Sequence, residues 1–343
     1  MRMPRRIQLP VTAREGDPHL PAMSRRRVLG WVGAVTFGLL HRDLSAQDDV
    51  SDLVLDRASA GRSLRIGSPA TGEIATLPLE VYVARVLAAE SDPRAADAAR
   101  EALAIAIRTY ALVNEGRHAR EGYDLCDTTH CQVVRPSNPA TRRLTQNTSM
   151  QVLLFEGRPA VLYYSASCGG YSERAGEVWP GGNYPYLQSR PDAVHEDEVA
   201  WTFDLPMSEA TAALRRIGWT GELAGVEVES RNASGRAAVL RLVGMEPRVI
   251  AGNAFRLAVG STRLRSTAFA LSIEDQLLRF VGRGYGHGVG MCVVGAGTRA
   301  LRGESAQSIL GHYYPGLVLV HLAAPAQPER PQGRPRPQPF PQP

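Results

Sequence analysis

The sequence contains no lysine, so all 39 basic residues other than histidine are arginines. It lacks the phosphate-binding pattern GxxxxGK[ST] and the dinucleotide-binding pattern GxGxxG, which argues against the common nucleotide-binding enzymes. Its longest apolar run, residues 28–40, is shorter than the roughly 20 residues of a membrane-spanning helix. It has only four cysteines in 343 residues.

The formal net charge of +5 is located in the two terminal segments. Residues 1–46 carry 8 arginines and 3 acidic residues, and residues 325–343 carry 3 arginines and 1 acidic residue. The remaining residues, 47–324, carry 28 arginines and 30 acidic residues. Because a domain that binds nucleic acid is expected to be basic itself, the sequence predicts no nucleic-acid partner.

The amino-terminal segment has the layout of an export signal. Three arginines, at 25–27, precede the apolar run, and Leu44-Ser45-Ala46 provides a small-residue cleavage site. Ser24-Arg25-Arg26-Arg27-Val28-Leu29 also resembles a twin-arginine signal, and an uncleaved anchor is the alternative. We therefore expect residues 1–46 to be a leader and signal peptide, and the protein to be exported to a periplasmic or other extracytoplasmic location.

The rest of the chain predicts one mixed domain and a tail. Residues 325–343 are mostly Pro, Gln and Arg, which indicates an extended, disordered tail. Residues 47–324 lack a regular βαβ rhythm, so we expect an α+β domain with mainly antiparallel strands around one core and a possible inserted lobe at about 200–280. Predicted helices lie from Leu77-Pro78 to between Glu90 and Pro93, and at about 95–114, 208–217 and 305–313. Predicted strands include 150–156 and 159–165.

Glu90 stands at the end of the first predicted helix, which is otherwise apolar. A carboxylate near a helix C-terminus interacts unfavourably with the helix dipole. The position of Glu90 has two explanations. Either the Glu90 side chain simply faces water, or the residue has a function at this position.

A polar loop at about 123–138 combines thiols, imidazole and carboxylates, and loops commonly carry functional groups on a scaffold. Cys126 and Cys131 are compatible with a short-loop disulfide, which we prefer. They are also compatible with part of a zinc site, to which His130 or the upstream His118 would add a ligand. The spacing does not reveal a complete set of four ligands.

A glycine-rich stretch, residues 282–291, contains His287. Such glycine density is useful where the main chain must approach a ligand or another strand closely. His287 is therefore either a hydrogen-bond donor to a substrate or a buried side chain that holds the loop.

Four ordered blocks of sequence together resemble the stage II sporulation protein D (SpoIID/LytB) family, over about residues 75–320. The blocks are Glu90 through Arg108-Thr109-Tyr110-Ala111; Cys126-Asp127-Thr128-Thr129-His130-Cys131-Gln132; Tyr164-Ser165-Ala166-Ser167-Cys168-Gly169-Gly170-Tyr171-Ser172 with Val178-Trp179 and Tyr186-Leu187; and Gly284-Tyr285-Gly286-His287-Gly288-Val289-Gly290-Met291 with His312-Tyr313-Tyr314-Pro315-Gly316. Leu103 stands where the family commonly has Gln, and Cys292-Val293-Val294 replaces its usual Ser-Gln-Tyr.

The resemblance implies a lytic transglycosylase that cleaves the glycan strands of peptidoglycan, preferably strands without stem peptides. Glu90 would be the only acid/base, because the 6-hydroxyl of the muramic sugar is already tethered and attacks in place of water. That reaction requires no cofactor and leaves 1,6-anhydro-muramyl ends. The expected substrate-binding residues are Arg108, Tyr110, His130, Ser165, Ser167, Tyr171 and His287. Arg108 is equally compatible with a structural ion pair.

Two other functions remain open from the sequence. The first is a non-catalytic glycan-binding protein that stimulates a cell-wall amidase, an N-acetylmuramoyl-L-alanine amidase, a role also attached to this family. The second is a zinc hydrolase centred on Cys126, Cys131 and a histidine, although no HExxH pair is present. Since exported cysteines are commonly oxidised, we expect Cys126–Cys131 and Cys168–Cys292 disulfides, one of three possible patterns.

Overall fold

The computed structural model describes residues 50–192 and 200–323. The predicted leader, residues 1–46, and the predicted tail, residues 325–343, lie outside the described residues. Within them, helices are combined with sheets that are mostly antiparallel, which confirms the predicted α+β class. No helix in these two ranges is long and apolar enough to cross a membrane.

The helices and strands follow one another without a repeating unit. The helices are α1 (Asp52–Ala58), α2 (Leu79–Glu90), α3 (Asp97–Val113), α4 (Pro139–Asn147), α5 (Ala175–Val178), α6 (Met207–Arg216), α7 (Gly252–Val259), α8 (Val293–Leu301) and α9 (Ala306–Tyr313), with a 3-10 turn at Ala119–Glu121. The strands are β1 (Ser63–Gly67), β2 (Ile74–Pro78), β3 (Leu125–Cys126), β4 (Gln151–Phe155), β5 (Arg158–Pro159), β6 (Tyr164–Ser165), β7 (Trp201–Pro206), β8 (Thr220–Arg231), β9 (Ala237–Glu246), β10 (Val249–Ala251), β11 (Phe269–Glu274), β12 (Leu277–Gly282), β13 (Met291–Cys292) and β14 (Val318–His321).

Two apolar helices, α2 and α3, lie at the centre of the part of the structure that contains Glu90. α2 starts directly after Pro78, whose fixed φ suits a helix start, and nearly all of its first nine residues are buried. It ends at Glu90 because Ser91 is extended, with φ −97° and ψ 146°. α3 buries most of its length against α2, α4, α8, α9 and β4. Both helices agree with the predicted positions.

The predicted strand at 159–165 was wrong in its middle. Only β5 and β6 pair as strands at its two ends. Between them Ala160 and Leu162 are buried in the hydrophobic core, and the Ala160 N–H donates to the Leu153 carbonyl. The segment is therefore held by core burial rather than by a continuous ladder.

Two large hydrophobic clusters organise the described residues. The first contains residues from Leu64 to Leu187 and from Val289 to Tyr314, and the second contains residues from Trp201 to Phe280. We call residues 50–192 and 283–322 the body and residues 201–282 the lobe. The body holds the sheets β2-β1-β3, β14-β4-β5 and β13-β6, and the lobe holds β10-β9-β8 and β11-β12-β7, both antiparallel.

Arg108 does not contact a substrate surface, so its predicted role is corrected. Its guanidinium donates to both oxygens of Glu80, at 2.8 and 2.6 Å, and to the Gln151 carbonyl at 3.0 Å. Both side chains have 0% exposure. A guanidinium on the inner face of α3 can be buried only if a carboxylate neutralises it, and Glu80 on the facing side of α2 supplies that carboxylate.

We predict that Arg108→Leu destabilises the protein by about 3–5 kcal/mol, because it leaves the Glu80 carboxylate buried without a counter-charge. The measurement is urea unfolding followed by circular dichroism. Arg143→Leu is the matched control, since its ion pair with Asp97 is largely exposed and should contribute about 0–1 kcal/mol. Equal unfolding midpoints for Arg108→Leu and wild type would contradict the structural role.

Candidate functional site

Glu90 is the last residue of α2, and its side chain is half-buried. One carboxylate oxygen accepts the Val133 N–H at 3.3 Å. Burial raises the pKa of Glu90, and the bond from Val133 lowers it in part. A carboxyl group with a raised pKa, still partly open to solvent, keeps its proton to a higher pH than an ordinary glutamate and can give it to a bound substrate.

A chain of hydrogen bonds beside Glu90 was missed by the sequence analysis. The Tyr82 hydroxyl donates to Gln132 Oε1 at 2.8 Å, and Gln132 Nε2 donates to the Tyr164 hydroxyl at 2.8 Å. Tyr82 and Gln132 are almost fully buried. Because Gln132 immediately precedes Val133, fixing its side chain also fixes the N–H that faces Glu90. The only sequence signal was that Gln132 and Tyr164 lie in the resemblance blocks.

Tyr110 and His130 are brought near each other by an arginine that the sequence analysis did not select. Arg117 Nη1 donates to the Tyr110 hydroxyl at 3.3 Å, and Arg117 Nη2 lies 3.4 Å from His130 Nε2. Burial raises the pKa of Tyr110 to about 12. Arg117 and His130 are exposed to solvent, whereas Tyr110 is buried.

The predicted serine and tyrosine ligands lie in the block after β5. Ser165 is buried, and its hydroxyl has no hydrogen-bond partner among the described residues. The Ser167 hydroxyl accepts the Gly169 N–H at 3.2 Å, and its main chain bridges to Tyr285. Tyr171 is half-buried and pairs through its main chain with Pro191. Their roles as sugar ligands stay predictions.

His287 uses its ring nitrogens within the protein. Its Nδ1 accepts the Val289 N–H at 3.0 Å, and the ring also hydrogen bonds the Tyr164 backbone. Burial, together with Arg256 and Arg236, lowers the pKa of His287 to about 3, so the ring is neutral. This arrangement favours the loop-holding role over donation to a sugar.

The glycine-rich stretch is needed for close contact with the Ser167–Gly169 turn. Gly284 has φ +76°, and a Cβ there would lie 3.0 Å from the Gly169 nitrogen. A Cβ on Gly290 would lie 1.9 Å from the Tyr163 carbonyl oxygen. The glycines therefore allow one strand to approach another, which was one of the two uses expected for them.

Four side chains of the polar loop converge: His118, Cys126, His130 and Cys131. His118 Nε2 lies 3.2 Å from His130 Nδ1 and 3.4 Å from Cys131 Sγ. His130 Nδ1 lies 3.7 Å from Cys126 Sγ and 3.6 Å from Cys131 Sγ. Tetrahedral zinc with ordinary bond lengths holds such atoms roughly 3.3–3.8 Å apart. These residues therefore fit a four-coordinate metal site, to which both histidines contribute rather than one.

The predicted Cys126–Cys131 disulfide is corrected, since Cys126 and Cys131 do not form a disulfide with each other. Two imidazole nitrogens lie among the two sulfurs, which is the arrangement that a metal requires. The predicted Cys168–Cys292 disulfide is also corrected. Cys292 Sγ instead accepts the N–H groups of Cys168 and Gly295, at 3.2 and 3.3 Å, and Cys168 Sγ lies 3.6 Å from Asp192.

Comparison with known proteins agrees with the resemblance noted in the sequence. The family model described as SpoIID, stage II sporulation protein, matches residues 68–164, and a model described as a domain of unknown function matches residues 197–290. The resemblance to the SpoIID/LytB family is therefore confirmed, with the family model matching residues 68–164.

Three curated relatives have the following overlaps. An uncharacterized protein of Brachyspira hyodysenteriae is 28% identical over 250 residues, 71% of this chain and 67% of the relative. The stage II sporulation protein D of Bacillus subtilis is 25% identical over 291 residues, 76% of this chain and 80% of the relative. The amidase enhancer of Bacillus subtilis is 26% identical over 274 residues, 65% of this chain but only 38% of the relative's length.

We predict that Tyr82→Phe raises the pKa of Glu90 further. Without the Tyr82 hydroxyl, Gln132 is held less firmly, so the Val133 N–H that stabilises the carboxylate is also less well placed. The measurement is a carbon-13 NMR titration of the Glu90 carboxyl group. Tyr313→Phe is the matched control, because it removes a buried hydroxyl bonded to Asp192 instead. An unchanged pKa in Tyr82→Phe would show that the Tyr82 bond does not support Glu90.

Proposed function

We propose that this protein is a lytic transglycosylase that cleaves the glycan strands of peptidoglycan, with Glu90 as its single acid/base. The family and the relatives support a role at the cell wall. The proposal of a lytic transglycosylase rests on the half-buried Glu90 carboxyl group at the end of α2. Burial raises the pKa of this group. Ordinary glycoside hydrolysis generally uses two carboxylates, whereas the proposed reaction uses this one.

The proposed reaction needs only this one carboxyl group. Protonated Glu90 gives its proton to the glycosidic oxygen as the bond from that oxygen to the muramic C1 breaks. The Glu90 carboxylate then takes the proton of the muramic 6-hydroxyl as that oxygen bonds to C1. The products are a strand with a 1,6-anhydro-muramyl end and a strand with a free hydroxyl, and Glu90 is protonated again. Because the 6-hydroxyl nucleophile is already attached to the muramic sugar, the protein does not need to position a water molecule.

The second candidate is a glycan-binding protein that stimulates a cell-wall amidase without cutting the strand itself. It is favoured by the relative whose name is amidase enhancer. This function would use the same binding surface but would give Glu90 no chemical role. The presence or absence of new strand ends separates the two.

We also propose that His118, Cys126, His130 and Cys131 hold a structural zinc ion. Four protein ligands fill a tetrahedral site, whereas a catalytic zinc keeps one position open for water or substrate. When bound, the ion would supply folding energy by joining β3, the residues after it and the chain segment that follows α3. This closed ligand set argues against the zinc hydrolase considered from the sequence.

We predict that wild-type protein incubated with glycan strands free of stem peptides forms 1,6-anhydro-muramyl ends, and that Glu90→Gln forms none. The amide cannot supply or take the proton, while its size and the Val133 contact are kept. The measurement is mass spectrometry of the soluble products. Glu227→Gln, an exposed glutamate on β8, is the matched control and should cut like wild type. Unchanged cutting by Glu90→Gln would contradict the assignment. Glycan binding by both proteins with no new ends would instead favour the amidase enhancer.

We predict about one zinc ion per chain, measured by elemental mass spectrometry of the purified protein. His118→Asn should reduce the zinc content and lower the melting temperature, because it removes one ligand of the closed site. His321→Asn is the control, since His321 is exposed and lies outside the cluster. Protein without metal that has a Cys126–Cys131 disulfide, shown by thiol labelling with and without reductant, would refute the zinc site.

A further inference from the structure

A cavity of about 370 Å³ lies among α1, α2 and α4 of the body. α1 contributes Asp52 to its wall, α2 contributes Arg85 and α4 contributes Arg142, while residues 134–137 form the remaining side. Small-molecule sites commonly have volumes of roughly 300–1,000 Å³. Neither Glu90 nor the proposed zinc ligands are among the described residues of this wall, so the cavity is separate from both of those sites.

The wall of the cavity is positively charged. It contains three arginines, Arg85, Arg135 and Arg142, and Asp52 is the one acidic side chain among the described residues that line it. Arg85 Nη2 lies 3.6 Å from an Asp52 oxygen, with the two side chains 34% and 49% exposed, so solvent weakens this ion pair. Residues 47–324 as a whole carry 28 arginines and 30 acidic residues. The excess of positive charge is therefore a local property of the cavity.

Arg135 supplies a guanidinium group that the protein does not use. Its side chain is exposed and makes no hydrogen bond or ion pair with any residue in the two described ranges. Its main chain, in contrast, is fixed, because the Arg135 N–H donates to the Arg85 carbonyl at 3.2 Å and Pro136 follows with its restricted φ. A guanidinium group has five N–H donors and no acceptor, so this one is available to an anion.

The side of the cavity at α4 is held in place by Arg142. Its Nε donates to the Val50 carbonyl at 2.5 Å, and its Nη1 donates to the carbonyl and the hydroxyl oxygen of Ser137, both at 3.5 Å. The Ser137 hydroxyl accepts in this contact, and it donates to no residue among those described. Since a hydroxyl can accept and donate at the same time, Ser137 can also donate to a ligand in the cavity.

The arrangement of these donors fits a phosphate group better than a carboxylate. The guanidinium groups come from three parts of the fold, namely α2, α4 and the segment of residues 134–137. A carboxylate has two oxygens in one plane, and a single guanidinium can bind both of them. A phosphate group directs its oxygens tetrahedrally, so several guanidinium groups can bind it at once, and arginine is a preferred residue for this contact.

We propose that this cavity binds a phosphate group, either the free ion or a phosphate esterified to a small molecule, through Arg85, Arg135 and Ser137. The site is close to Glu90 in the chain, because Val133, whose N–H binds the Glu90 carboxyl group, lies two residues before Arg135. A bound phosphate would hold the segment that supports Glu90. Binding here does not require that the protein cut glycan strands, so this proposal and the transglycosylase can fail independently.

The test is calorimetric titration of the full chain at low salt, with inorganic phosphate, glycerol 3-phosphate and acetate as separate probes. We expect about one phosphate site per chain and weaker binding at high salt, because the site is open to solvent. Tighter binding of glycerol 3-phosphate than of inorganic phosphate would identify an ester as the ligand, and the reverse would identify the free ion. Acetate that binds as tightly as both phosphates would overturn the assignment to phosphate.

Two variants should change phosphate affinity in opposite directions. Arg135→Gln should weaken binding about tenfold, the effect of losing one hydrogen bond between charged groups. Asp52→Asn should strengthen binding about threefold, because it removes the carboxylate that competes for Arg85. A gain in affinity cannot result from poor folding of the variant. Arg158→Gln is the matched control, since Arg158 is an exposed arginine on β5 outside the cavity, and it should bind phosphate like wild type.

Equal phosphate affinities for Arg135→Gln and Arg158→Gln would overturn the proposal, and so would a lack of binding by wild type and all variants. A third contradicting result is binding that appears only when Asp48→Asn and Asp49→Asn are combined in one chain. The cavity would then be a site for the acidic residues that precede Val50 in the sequence, and not for an external phosphate.

Discussion

The buried ion pair between Arg108 and Glu80 is the contact on which the geometry of the site depends. It joins the middle of α3 to the first turn of α2, and Arg108 also binds the Gln151 carbonyl at the start of β4. Glu80 in turn accepts the Met150 N–H at 2.9 Å. Because both side chains are fully buried, each charge needs the other as its counter-charge. The ion pair therefore fixes α2 at the end opposite Glu90.

The other end of α2 is held by fewer contacts, which suits the catalytic role proposed for Glu90. Tyr82, Gln132 and Tyr164 place one N–H against the Glu90 carboxyl, and the surrounding burial keeps its pKa high. Three of the four proposed zinc ligands, Cys126, His130 and Cys131, lie shortly before Gln132 in the chain, so an ion there would stabilise the segment that supports Glu90. In this account the proposed zinc ligands stabilise the fold and Glu90 carries the proposed chemistry, so the two roles fall on neighbouring but separate residues.

The sequence was informative wherever local pattern determines structure. The ends of α2 and α3, the α+β class and the polar cysteine loop all follow from apolar spacing, proline and glycine. It was uninformative about pairs distant in the chain. Arg108 lies 28 residues from Glu80, and Tyr82 lies 50 residues from Gln132, so no local period reveals either contact. The cysteine pairing was wrong for the same reason, because His118 and His130 come between the sulfurs only in the folded loop.

The central claim is that the strand is cut by its own 6-hydroxyl group with one protein carboxyl and no attacking water. The most direct measurement is digestion of stem-free glycan strands in water enriched in oxygen-18, followed by mass spectrometry of the new ends. The account predicts anhydro-muramyl ends that contain no oxygen-18. Reducing ends that carry oxygen-18 would show that water is the nucleophile, and would contradict the single-carboxyl mechanism.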